Sequence, residues 1–263
     1  MPVFCGRFSN RGGFAFALLL GVCCGARIIR SVPLSNGGAE SGTMAPWDAV
    51  STRSVEAQSE SAGTVYPFEG ERFFSMAAVR ASSASLRQTN ALAPGTAWLF
   101  LSGAVQTEHA EADDFGTVVL SLLDDEGNTL AVVTNGPLNT PPLTWKPFEV
   151  VLAVPEGSAA WTLELKGTLV YGSYVNVFYD ATRLYESPSV VLQKAPSVDD
   201  AGRPALSWFS GDTGLTYSVL SSTSLVADVF APVPPSNQWP IRARSWTNSL
   251  PLEGELFFKI EAR

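Results

Sequence analysis

Cysteine is nearly absent: Cys5, Cys23 and Cys24 all lie within the first 24 residues of a 263-residue chain. Once a leader covering them is removed, no thiol is left for a disulfide or a metal thiolate, so packing has to stabilise the folded part. Histidine is rarer, with His109 alone. A serine hydrolase would need that imidazole as its base, and no serine stands in a GxSxG setting, which argues against triad chemistry. His109 lies in an acidic stretch, residues 108–114 (EHAEADD), which reads as a solvated connection rather than a metal or acid/base site. Excess positive charge is missing too. The formal net charge of −8 argues against nucleic acid or an anionic membrane surface as partner, since both recruit basic patches.

Long hydrophobic runs are also lacking. The longest, residues 14–24 (FAFALLLGVCC), has 11 residues, well short of the roughly 20 that span a bilayer. Preceded by Arg7 and Arg11 and followed by Gly25 and Ala26, it reads as a secretory signal over residues 1–26. A lipoprotein would need a small residue before the modified cysteine, whereas Val22 precedes Cys23, so simple export to the extracellular space or cell surface is expected. Cleavage removes two arginines and no acid from the −8 chain, leaving −10. Neutral glycans and divalent cations remain compatible partners.

The remainder holds ample apolar material, 46% hydrophobic against 16% charged residues, enough to offset the entropy of ordering. From residue 65 onward, short alternating runs are punctuated by glycine, proline and acidic turns, the mark of antiparallel β structure. Strands are expected at 72–78, 97–106, 117–123, 129–134, 148–154, 160–166, 174–179 and 181–185, with hairpin turns at 125–128 and 155–158. Alternation places Phe148, Val150, Leu152 and Val154 in one inward row and Trp161, Leu163 and Leu165 in another. Thr162, Glu164 and Lys166 then face solvent or a ligand.

The pattern breaks at residues 186–189 (ESPS), which puts a boundary between residues 27–187 and 188–263. The second segment carries its own expected strands at 190–193, 205–209, 215–221 and 256–262. Residues 206–225 (LSWFSGDTGLTYSVLSSTSL) and 257–260 (FFKI) resemble a small immunoglobulin- or fibronectin-like β-sandwich appended to secreted bacterial proteins. That resemblance implies a structural or attachment role.

In the first segment, Asn36, Gly37, Gly38, Ala39 and Glu40 precede Trp47, and Pro94 and Gly95 lead into Trp98. Trp145 precedes a run ending at Val154 and Pro155, and Tyr179, Asp180, Ala181, Thr182 and Leu184 fall near its end. In order and spacing these resemble the carbohydrate-binding modules of families 4, 9, 16 and 22, which share a galactose-binding-like jelly roll. Ala39 stands where the pattern has Phe, and Ala181 where a second Asp often sits.

The resemblance implies an all-β jelly roll with a structural Ca²⁺ bridging its first and last strands. Glu40 and Asp180 would supply carboxylates and main-chain carbonyls near residues 70–73 the rest, a donor set that suits calcium. The alternative is that both are ordinary strand-end acids. Sugar binding needs an aromatic platform with polar groups around it. Tyr171, Tyr174 and Tyr179, with Glu164 as hydrogen-bond partner, are the candidates, while Trp98, Trp145 and Trp161 sit where the pattern places core aromatics. No acidic cluster of the kind jelly-roll glycosidases carry is present, and residues 124–128 (DDEGN) make a turn rather than an EF-hand. The expected function is non-catalytic binding of a polysaccharide or glycan. Its rival is a structural or adhesive protein with the same fold and no sugar site.

Overall fold

The computed structural model describes residues 6–8, 34–50, 54–56, 65–76, 81–107, 114–141, 144–170, 172–188, 191–194, 197–199, 201, 203–222, 230–234, 238–248 and 256–262. Two compact units emerge, Ile29–Ser187 and Pro188–Arg263, the second joined by Met1–Ile28. Strand β1 (Gly6–Phe8) belongs to the second unit, and the rest of the expected leader lies outside the described residues. The first unit contains β2 (Asp48–Val50), β3 (Ser54–Glu56), β4 (Phe73–Ser75), β5 (Ser83–Ala91), β6 (Trp98–Thr107), β7 (Phe115–Leu123), β8 (Thr129–Leu138), β9 (Lys146–Ala153), β10 (Ala160–Thr168) and β11 (Val177–Ser187). Among the described residues no α-helix is present and none is long and apolar enough to cross a membrane.

The first unit is a jelly-roll sandwich of two antiparallel five-stranded sheets, ordered β2-β5-β10-β7-β8 and β3-β4-β11-β6-β9. From β4 to β11 the chain changes sheet at every connection except the β7–β8 hairpin. That hairpin turns at residues 124–128, where the Asp124 carboxylate accepts the N–H groups of Glu126 and Asn128 at 3.0 and 2.7 Å. The Asn128 side-chain amide, donating to Asp124 Oδ2 at 3.0 Å, and these main-chain bonds hold the Asp124 carboxyl below its ordinary value.

The period-2 rows explain the core. Val118, Leu120 and Leu122 of β7 and Trp161, Leu163 and Leu165 of β10 are fully buried, and they face Leu99, Leu101, Val105, Phe148 and Val150 of the opposite sheet in one apolar cluster. The turn at residues 155–158 is therefore not the expected hairpin. Strand β9 pairs with β6 while β10 pairs with β5 and β7, because two strands with strongly apolar inner rows face each other across the core instead of lying side by side. Strand β5 has no counterpart among the expected strands. Only Ala84, Leu86 and Gln88 point inward, and its nine-residue pairing with β10 makes it a strand. The strands expected at 174–179 and 181–185 are one element, β11, which begins at Val177 and runs to Ser187 with its register shifted between Asp180 and Arg183.

Buried polar groups are matched where they tie segments together. Glu186 accepts Trp161 Nε1–H at 3.0 Å, Ala93 N–H at 2.8 Å and the Thr96 hydroxyl at 3.0 Å, which locks the turn before β6. The Gln88 amide exchanges two 3.1 Å bonds with the main chain of Ser35, docking the start of the first unit on β5.

In the second unit are β12 (Val191–Gln193), β13 (Ser197–Val198), β14 (Pro204–Ser210), β15 (Tyr217–Ser222), β16 (Ala231–Pro232), β17 (Ser245–Thr247) and β18 (Leu256–Ala262). One sheet runs β1-β18-β15-β16, and in the other β12, β13 and β17 all pair with β14. Trp208, Tyr217, Trp246 and Phe258 fill the small core between them.

Gly37 marks the tightest join in the first unit. Its carbonyl accepts Thr182 N–H at 3.1 Å, and a Cβ on Gly37 would lie 1.9 Å from the Thr182 carbonyl oxygen. Gly37→Ala is expected to lower unfolding free energy by about 2 kcal/mol or more. Denaturant unfolding of both proteins checks this, and equal midpoints would refute it.

Candidate functional site

The segment from residue 34 to 47 is shaped by its own polar groups. The Asn36 side chain donates to the carbonyls of Thr43 and Ala45 at 2.7 and 3.2 Å and accepts Ser41 N–H at 3.1 Å. Asn36 and Ala39 both have positive φ, 57° and 60°, and Ala39 is fully buried, so the position that carries Phe in the family pattern here lies inside a tight coil. The outcome is that Glu40 projects toward residues 69–72. Its carboxylate accepts Glu71 N–H at 3.1 Å through either oxygen and Arg72 N–H at 3.1 Å.

Asp180 reaches the same loop from the other side. Its Oδ2 accepts Phe68 N–H at 2.8 Å and Glu69 N–H at 3.0 Å, and its Oδ1 accepts Ala181 N–H at 2.6 Å. A β-bulge follows, with Ala181 at φ 50° and the register shifted between Asp180 and Arg183. Glu40 and Asp180 converge: a Cβ on Gly38 would stand 3.6 Å from Asp180 Oδ1 and 3.7 Å from Glu40 Cγ. Burial pushes the Asp180 carboxyl up from 3.8 to about 6, against its three main-chain hydrogen bonds, and the Glu40 charge adds to the rise. Among the described residues neither carboxylate has an ion-pair partner, and Arg183 is paired with Glu69 instead.

The loop between these carboxylates carries an aromatic patch on the outer face of β4 and β11. Val65, Phe73 and Phe178 form a small buried cluster, with Trp145 half-buried against it. The Trp145 ring stands 6.0 Å from Phe73 and 6.2 Å from Phe68, and its Nε1–H donates to the Tyr66 carbonyl at 2.8 Å. Above it Tyr66 is 61% and Phe68 48% exposed, beside the Glu69–Arg183 pair. Gln106, across from Phe178 in the β6–β11 ladder, is buried with its Nε2 unpartnered. The expectation that Trp145 is a core aromatic is corrected: it packs outside the sandwich, and only Trp161 of the three tryptophans is fully buried. The sequence signal for this patch is the aromatic density of residues 66–74 (YPFEGERFF) around a proline and a glycine.

Of the expected sugar-binding residues, the described ones, Tyr174, Tyr179 and Glu164, do not share one face. Tyr179 is fully buried, T-shaped against Phe148 at 6.3 Å, and its hydroxyl donates toward the carbonyls of Lys166 and Thr117 at 2.8 and 3.2 Å. Burial drives its phenol well above its ordinary value. Tyr179 is therefore a core residue and no platform, because the parity of β11 turns it inward between the sheets. Glu164 lies on the outer face of β10, 3.5 Å from Arg87 of β5, four positions from the strand end at Thr168 and hence about 13 Å along it. Tyr174 is 45% exposed on a connection pinned by Asp114, whose carboxylate accepts Val170 N–H at 2.8 Å and Asn176 N–H at 3.0 Å. Asp114 itself is buried, which corrects the reading of residues 108–114 as wholly solvated. Tyr171 and His109 lie outside the described residues.

No family model matches the sequence, and no curated protein matches it. Among solved structures the chain is similar to the carbohydrate-binding module TmCBM61 in complex with β-1,4-galactotriose, at 19% identity and a TM-score of 0.40, over 60% of this chain and 99% of that one. A family 16 carbohydrate-binding module is similar at 19% identity and a TM-score of 0.38, over 57% and 96% of the two chains. The enzymatically active domain of tailspike protein 4 from bacteriophage CBA120 is similar at 16% identity and a TM-score of 0.43, over 60% of this chain and 22% of that one. The chain thus spans about a fifth of the tailspike domain.

Asp180 gives a pH signature. A carboxyl with a folded value of about 6 against 3.8 favours the folded state while protonated. That contribution is complete below about pH 4 and is lost as pH rises to about 6. In chelator, the stability of the wild type relative to Asp180→Asn is expected to fall across this window, and a flat difference between the two pH profiles would refute it.

Proposed function

We propose that the first unit is a non-catalytic glycan-binding module of an exported protein. The observation that carries this reading is the outward-facing group of Tyr66, Phe68 and Trp145 beside the Glu69–Arg183 pair. Exposed ring faces offer a pyranose its apolar C–H side, while the adjacent carboxylate and guanidinium can meet its hydroxyls. The convergent carboxylates argue for binding over hydrolysis. Glu40 and Asp180 are engaged by main-chain N–H groups of a single loop, and Asp180 has no exposed surface. Export rests on the leader pattern of residues 1–26.

A calcium ion belongs to the same proposal. The donor set fits one: the Asp180 carboxylate and the Glu40 side chain meet beside Gly38 without an ion-pair partner among the described residues, and each carboxylate oxygen accepts through about two lone pairs, so acceptor capacity remains. Glu40 and Asp180 would hold the ion, with main-chain carbonyls of the loop completing its shell. Its charge would offset the burial that raises Asp180 and the lesser repulsion from Glu40, and would clamp the two ends of the sandwich.

On a glycan array the mature protein is expected to be retained on at least one glycan, with Tyr66→Ala and Phe68→Ala each weakening retention about tenfold at unchanged circular dichroism. Absence of retention across a broad array would favour the structural or adhesive reading. Calcium should raise the melting temperature of the wild type and leave Asp180→Ala unmoved. Identical wild-type melts with calcium and with chelator would sink the metal site.

A further inference from the structure

The loop bearing Tyr66 and Phe68 is not held by a sheet ladder over residues 66–72. Its main chain is gripped from strand β11. Phe68 and Glu69 donate their N–H groups to Asp180 Oδ2 at 2.8 and 3.0 Å, and the Glu69 carboxylate pairs with the Arg183 guanidinium. Three residues along an unbroken strand would point to opposite faces. The bulge between Asp180 and Arg183 removes that alternation: Arg183 is exposed on the side that Asp180 serves, while Leu184 turns into the core. One residue, Glu69, is thereby seized by main chain and side chain from two points on the same strand. Gly70 follows at φ 71°, and a Cβ there would lie 2.3 Å from Glu40 Oε1, so the turn beyond is shaped around the second carboxylate.

We infer that the bulge in β11 is the device that sets the aromatic platform: the buried Asp180 positions Phe68 and Glu69 without touching ligand, and the exposed Arg183 holds the Glu69 carboxylate beside the rings. The inference rests on the glycan-binding reading for its ligand and on geometry alone for its mechanics. Phe68 lies next to the bonded Glu69, and its ring packs 6.2 Å from Trp145, so any loosening of the two N–H bonds swings the outer ring off its neighbour.

The test is residue-resolved amide hydrogen exchange on the full chain in chelator, with Asp180→Asn and Arg183→Gln compared with wild type. Asp180→Asn is expected to speed exchange at Phe68 and Glu69 at least about tenfold while the β6–β11 ladder at Leu99 and Leu101 is unchanged. Because Arg183 is exposed, Arg183→Gln serves as the variant that keeps its fold, and it should speed exchange at Glu69 with Phe68 following. Glycan affinity should fall about tenfold in Asp180→Asn with no loss of ladder protection. Unchanged exchange at Phe68 and Glu69 in both variants would overturn the inference, as would a rise shared equally with Leu99 and Leu101. Loosened exchange in a protein whose wild type binds no glycan would leave the positioning intact and discard the ligand reading instead.

Discussion

Everything at the outer face of the first unit depends on main-chain N–H groups finding acceptors where no strand can supply them. A partly buried loop cannot leave such donors unpaired without a cost comparable to a lost hydrogen bond for each. Here four of them, from Phe68, Glu69, Glu71 and Arg72, end on just two carboxylates. Glu40 is drawn from the opening coil and Asp180 from the last strand, so the same bonds that satisfy the loop also stitch the two ends of the sandwich. Charged acceptors make the stronger hydrogen bonds. In the first unit, whose residues 29–187 contain no cysteine, these bonds are a polar cross-tie between its two ends.

The cost is electrostatic. Burial displaces Asp180 toward its protonated form, and the nearby Glu40 charge adds to that displacement. A divalent cation would resolve that tension, and so would protonation. The bulge at Ala181 and the positive φ values at Asn36 and Ala39 are the backbone distortions by which the chain brings the acids to bear. Such distortions persist only where surrounding contacts over-determine them, as the Gly37–Thr182 contact and the Asn36 bonds do here.

The inner rows of β7, β9 and β10 were legible because strict alternation of large apolar and polar residues has one meaning in a strand. The convergence of Glu40 and Asp180 was legible through a family pattern. Strand β5 was not, since its inward residues are Ala84, Leu86 and Gln88 and its identity comes from partners on both sides. Tyr179 was misjudged because Tyr171, Tyr174 and Tyr179 look alike in sequence, while parity along β11 alone decides which faces inward. Tyr66 and Phe68 were missed for a related reason: their exposure follows from acceptors 31 to 112 residues away, which no local window contains. Trp145 escaped for want of the same loop, which supplies its floor and its hydrogen-bond acceptor.

The strand order carries one further consequence. Strands β10 and β11, nearly the last of the first unit in sequence, are the central members of their sheets. A chain emerging from its N-terminus first therefore holds β5 and β7, and β4 and β6, as separated strands with open edges until residues 160–187 arrive. Neither sheet can be completed progressively. Assembly of the unit waits on its last two strands, so its folding depends on pairings between segments far apart in the chain.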